Sequence, residues 1–93
     1  MVLNKQRLRI SVRGQVRGVG FRHHAKECAQ SLGLVGYVQN DPIGGVICVV
    51  EGDEISIEHF VGWCHKGPPF AQVESLETTE ERYKEEFDRF DIR

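Results

Sequence analysis

Two helices covering one face of an antiparallel β-sheet, an α+β domain, is the fold class that this sequence predicts. Three observations carry the prediction. Apolar and polar residues alternate from Arg7 to Arg13; apolar residues recur at helical spacing in two later segments, each followed by a glycine; and a turn-forming "DPIGG" separates two short strand-like runs. At 93 residues the chain is expected to form one domain, residues 1–93, that buries roughly 60% of the surface its unfolded form exposes.

In the first segment Leu8, Ile10 and Val12 alternate with Arg7, Arg9, Ser11 and Arg13, the period of a half-buried strand whose arginines share one face. After a glycine-rich loop, Phe21, Ala25, Cys28, Ala29 and Leu32 share one face of a helix that Gly33 can end, which predicts a helix over 21–32. "VGYVQN" and "VICVVEG" then read as a hairpin around "DPIGG". Asp53 is a candidate N-cap for a second amphipathic helix carrying Ile55, Ile57, Phe60, Val61 and Cys64, which Gly67 and two prolines terminate near "HKGPP". "AQVESLE" and "EEFDRFDIR" complete the chain as two strands. The charged "ETTEERYKEE" that joins them is rich in helix formers but has little apolar face to bury, and is expected to be a connection. Strand, helix, strand, strand, helix, strand, plus one extra strand, is the split βαβ order of ferredoxin-like α/β sandwiches.

No apolar run approaches the ~20 residues of a membrane span, and "MVLNKQRLRI" lacks the basic-then-apolar order of a secretory signal, so a cytoplasmic location and no membrane partner are expected. Cys28, Cys48 and Cys64 each fall in an apolar pattern and none forms a C-x-x-C pair; they read as reduced core residues. Arginine does not stand six residues after any of them, which removes the C-x-x-x-x-x-R loop of cysteine-dependent phosphatases. The adjacent His23 and His24 point about 100° apart on a helix, and the six-residue gap between His59 and His65 puts them on different faces; neither pair suits a metal.

The net charge of −2 hides an asymmetry. Residues 1 to 26 hold seven basic side chains and no acid, the rest five bases and fourteen acids. That split points to a local anion site near the N-terminal third, not to a wholly basic binder. The stretch "VRGQVRGVGFR" (Val12 to Arg22) stands there, between a strand and a helix, where unsatisfied backbone N–H groups and the positive end of the helix dipole make an anion cradle. Gly14, Gly18 and Gly20 can take left-handed conformations and approach a ligand closely, and Arg22 adds a permanently charged fork. The spacing G-x-x-x-G-x-G fits neither common nucleotide-binding loop. Residue types alone leave a purely structural turn as the other reading, just as Asn40 before "DPIGG" is ordinary turn chemistry.

Two motifs together go further. "GQVRGVGFR" (Gly14 to Arg22) resembles the G-x-V-x-G-V-x-F-R signature of the acylphosphatase family, and "GYVQN" (Gly36 to Asn40) its second signature, G-x-V-x-N; the resemblance covers essentially the whole chain. It implies a ferredoxin-like α/β sandwich that hydrolyses the carboxyl–phosphate bond of acyl phosphates to a carboxylate and inorganic phosphate. It further implies Arg22 as the phosphate-binding residue, Asn40 as the residue that orients the attacking water, and Gln15, Val16, Arg17, Gly18, Val19, Gly20 and Phe21 as the substrate-binding loop, with no metal or cofactor. Inorganic phosphate is then both product and expected competitive inhibitor, and the chain an independent monomer. Arg17 departs from the glutamine of many relatives and is expected to weaken discrimination among anions. Two other functions compete: a non-catalytic phosphate or carbamoyl-phosphate binding module, since related domains occur within larger enzymes, and a nucleic-acid binder using Arg7, Arg9 and Arg13. The strands lack the paired exposed aromatics that stack bases, so no nucleic-acid partner is expected.

Overall fold

The structure is a computed structural model that describes residues 4–93; residues 1–3, part of the single-domain expectation, lie outside the described residues. Strand β1 (Lys5–Gln15) leads to helix α1 (Phe21–Ser31), the hairpin β2 (Val35–Asn40) and β3 (Val46–Asp53), helix α2 (Glu54–Lys66), β4 (Gln72–Glu81) and β5 (Phe90–Ile92). One five-stranded sheet forms in the order β4-β1-β3-β2-β5. The first four strands pair antiparallel, giving the expected split βαβ arrangement. The last does not: β5 lies parallel to β2, so the sheet is mixed. The reason is where the chain leaves β4. It crosses the whole sheet before pairing again, and arrives at the far edge from the same end as β2.

Both helices cover one face. Even-numbered residues of β1 (Ile10, Val12), β2 (Val38) and β3 (Val46, Cys48, Val50) meet Phe21, Ala25 and Ala29 of α1 and Ile57, Phe60 and Cys64 of α2 in one buried cluster. Ala25 and Ala29, one turn apart, let α1 approach the sheet closely, while Trp63 packs on Phe21 (ring centroids 5.1 Å) to tie the helices together. Cys48 and Cys64 lie in this core and Cys28 at its edge, all as free thiols. Burial raises the pKa of Cys28 and, further, of Cys64, which keeps both protonated and unreactive. Asp53 stands at the N-cap position of α2, but its carboxylate lies 3.0 Å from Lys5 Nζ and makes no capping hydrogen bond.

The opposite face carries the arginines of β1, and there the charged connection behaves unlike its sequence. Its first residues extend β4 to Glu81, because Thr78, Thr79 and Glu81 find partners on β1: Thr78 faces Ile10, Thr79 faces Arg9 and Glu81 faces Arg7. β4 is thus an edge strand, with Glu74, Glu77 and Glu80 exposed along it. Residues 82–89 then cross this face as a strap from the β4 edge to the β5 edge. Arg7 is buried beneath it, donating from Nε to Glu81 (2.9 Å) and from Nη1 to Glu86 (2.7 Å), with Glu51 Oε2 at 3.5 Å and the guanidinium against the face of the Phe87 ring, 5.0 Å from its centroid. The Glu51 carboxylate, 1% exposed, accepts the backbone N–H groups of Lys84 and Glu86, both at 2.9 Å. Burial alone would raise its pKa; the two N–H donors and Arg7 outweigh that and hold it below the ordinary carboxylate value.

Candidate active site

Strand β1 ends at Gln15, and α1 begins at Phe21 after five intervening residues. The turn between them needs glycine twice: Gly18 and Gly20 have φ of +76° and +79°, a region that residues with side chains rarely adopt. Gly20 occupies the N-cap position. It has no side chain to satisfy the first N–H groups of α1, and the first turn carries no acid. A helix of ordinary design would place an acceptor there; this one leaves its positive end open and puts Arg22 beside it. The Gly20 carbonyl is held from within the helix, accepting the backbone N–H of His24 at 3.0 Å and the ring Nδ1–H of the same residue at 2.8 Å. A carbonyl only accepts, so His24 carries its proton on Nδ1.

Gly14 has a different task from the other two. It lies inside β1, at a bulge where the register against β4 shifts, and its φ of +127° leaves no room for a Cβ beside the Gln72 carbonyl. It shapes the strand's exit and does not line the cavity that Gly18 and Gly20 line.

A cavity of about 210 Å³ opens at this end of the sheet, lined by Val16, Arg17, Gly18, Gly20, Phe21, Arg22, His23, Asn40 and Ile92. Of the residues singled out from the sequence, Val16, Arg17, Gly18, Gly20, Phe21, Arg22 and Asn40 therefore share one pocket. Gln15 and Val19 do not line it: Gln15 pairs with Gln72 at the end of β1, and Val19 packs against the core. Asn40 reaches the pocket because it ends β2 on the helix-covered side, two residues beyond Val38. His23 and Ile92 are additions. Ile92 comes from the parallel pairing that sets it beside Val38, which local sequence patterns do not signal.

Electrostatically the pocket is one-sided. Arg17 and Arg22 line it and no carboxylate does. Arg17 is exposed, while Arg22 Nη1 donates to the backbone oxygen of Arg93 at 3.3 Å. Arg93 is itself fixed, its N–H bonded to the Val38 carbonyl (2.8 Å) and its guanidinium lying over the Tyr37 ring at 4.0 Å. An anion entering here meets two guanidinium groups, a helix N-terminus and the side-chain amide of Asn40, the equipment for holding a phosphoryl group and a water side by side.

The family model for acylphosphatase matches residues 8–92. The chain belongs to the acylphosphatase family. It is 43% identical over 89 residues to an acylphosphatase of Geobacter sulfurreducens, covering 96% of this chain and 98% of that one. Its fold matches the solved acylphosphatase structures from Coxiella burnetii (TM-score 0.92, 32% identity, 97% and 94% of the two chains) and Bacillus subtilis (TM-score 0.90, 38% identity, 95% and 98%). As an acylphosphatase family member it is a hydrolase of small acyl phosphates, with the ferredoxin-like fold of these relatives. Among the described residues no helix is long and apolar enough to cross a membrane.

Proposed function

We propose that Arg22 and Asn40 carry the hydrolysis, the first holding the phosphoryl group and the second the water that attacks it. The supporting observation is that both side chains line one pocket with the open N-terminus of α1, although they stand on different elements. The water oxygen forms a bond to phosphorus as the bond from phosphorus to the acyl oxygen breaks; that electron pair leaves on the carboxylate. A carboxylate is a good leaving group, so no general acid is needed and the protein's work is positioning and charge neutralisation. Arg22 and the backbone N–H groups of the loop residues that line the pocket neutralise the equatorial oxygens. The Asn40 amide holds the water by hydrogen bonds without taking its proton, which passes to the substrate's own phosphate. In this role the chain acts as a single domain and a monomer, in a reducing cytoplasm that keeps its three cysteines as thiols.

Steady-state hydrolysis of benzoyl phosphate without added metal tests this reading, with inorganic phosphate acting as a competitive inhibitor. Binding of phosphate without turnover would favour the non-catalytic module instead. Arg7, central to any nucleic-acid surface on the other face, is buried under the strap and paired with acids, which counts against that alternative.

Arg17 adds a second guanidinium at the mouth. Replacing it in Arg17→Gln is expected to weaken phosphate inhibition about fivefold at low salt, the size of an exposed charge contact, and to make that inhibition less sensitive to added salt. A phosphate inhibition constant that stays the same in the variant would show that Arg17 points its charge elsewhere.

A further inference from the structure

We propose that Glu51, on the face of the sheet opposite the helices, is a positioning residue for Arg22, acting through the strap and β5. The inference rests on the reading of Arg22 as the phosphate-binding residue. Contacts run without a break from one to the other. The Glu51 carboxylate holds the strap by two backbone N–H groups, those of Lys84 and Glu86. Arg7, pinned between Glu51 and Glu86, lies against Phe87. Phe87 meets Tyr37 edge to face, with ring centroids 5.8 Å apart, and Arg93 lies over both rings, 4.0 Å from Tyr37 and 5.9 Å from Phe87. Arg93 then presents its backbone oxygen to Arg22 Nη1 at 3.3 Å, the one protein hydrogen bond of that guanidinium among the described residues.

Glu51 is built for tethering. A carboxylate with both oxygens committed to backbone N–H groups of one segment fixes that segment's position as well as its presence. The strap has few other anchors: of residues 82–89, only Tyr83 and Phe87 are even half-buried. β5, which follows it, is three residues long and pairs with one neighbour. Phe90 keeps β5 on the core, so loosening the tether leaves the core intact and frees the strap with the Phe87 ring that braces Arg93, whose oxygen orients Arg22.

The consequence is a particular kinetic signature. When the competent arrangement of Arg22 is only partly populated in the free protein, apparent affinity falls by that fraction, while saturating substrate restores the arrangement and its turnover. Glu51→Gln, which keeps the shape and removes the charge, is expected to raise both KM for benzoyl phosphate and the inhibition constant of inorganic phosphate about tenfold, by the same factor, with kcat within twofold. Phe87→Leu, which cuts the aromatic link at a half-buried position, is expected to move the same two constants in the same direction by a smaller factor, and it covers the case in which Glu51→Gln does not fold. A purely structural role would lower the folded fraction instead, reducing kcat with KM unchanged. That result, or unchanged constants in folded Glu51→Gln or Phe87→Leu protein, overturns the linkage. Wild-type protein that hydrolyses no acyl phosphate overturns the reading of the site itself.

Discussion

Arg22→Ala is expected to lose about a thousandfold in kcat/KM for benzoyl phosphate, about 4 kcal/mol of transition-state stabilisation, while the circular dichroism spectrum and melting temperature stay near wild type. The size follows from what the pocket holds. Its permanent charges are Arg22 and the exposed Arg17, so removing the better-held one leaves the developing phosphoryl charge to backbone N–H groups and a screened neighbour. Arg22→Lys should recover only part of the loss, because an ammonium restores the charge without the planar fork. Asn40→Ala should cost about a hundredfold or more, and chiefly in kcat, since a water held for attack contributes to the transition state and little to substrate binding. Two folded variants with full activity would remove both residues from the mechanism.

The largest expected change in stability lies on the other face. Arg7→Ala strips the buried Glu51 of its cation and leaves Glu81 and Glu86 unpaired. The expected cost is about 3–5 kcal/mol, or roughly 15 °C or more in Tm for a domain of this size. Replacing both members of a buried ion pair by apolar residues is often harmless, but here the N–H groups of Lys84 and Glu86 would lose their acceptor as well. The same cluster sets an acid limit. The pKa of Glu51 is lower in the folded chain than in the unfolded one, so its contribution is complete above the ordinary carboxylate value of ~4.3 and is lost as pH falls through the lower folded value. Chemical denaturation followed from pH 7 to pH 3 should show wild-type stability declining below about pH 5, and a shallower decline in Glu51→Gln. Parallel profiles would place the acid sensitivity in other carboxylates.

Much of this molecule is legible in its residues. The alternation from Arg7 to Arg13 and the helical spacing of Phe21, Ala25 and Ala29 set the first crossover, and each apolar position went to the helix-covered face. The loop glycines and Arg22 pointed to an anion site, and Gly18, Gly20 and Arg22 line one pocket with Asn40. What stayed hidden depends on contacts between distant parts of the chain. Arg7 reads as a solvated strand arginine because Glu81 and Glu86, which bury it, lie more than seventy residues away. "ETTEE" has no strand periodicity of its own and becomes one by pairing with β1. Gly14 carries the same signal as Gly18 but answers to the backbone of β4, and Ile92 enters the pocket only through a parallel pairing that no local pattern encodes.

The run of acids along β4 also bears on how the chain lives in a crowded solution. β4 is an open sheet edge, ten residues of it, with backbone groups free to recruit the same strand of another copy. Two such edges laid together would bring Glu74, Glu77 and Glu80 of each against the other's, and the repulsion guards the edge for as long as those side chains stay ionised. Acid therefore threatens the molecule twice: it loosens the strap from within, and it removes the charge that keeps neighbouring copies from growing into a shared sheet.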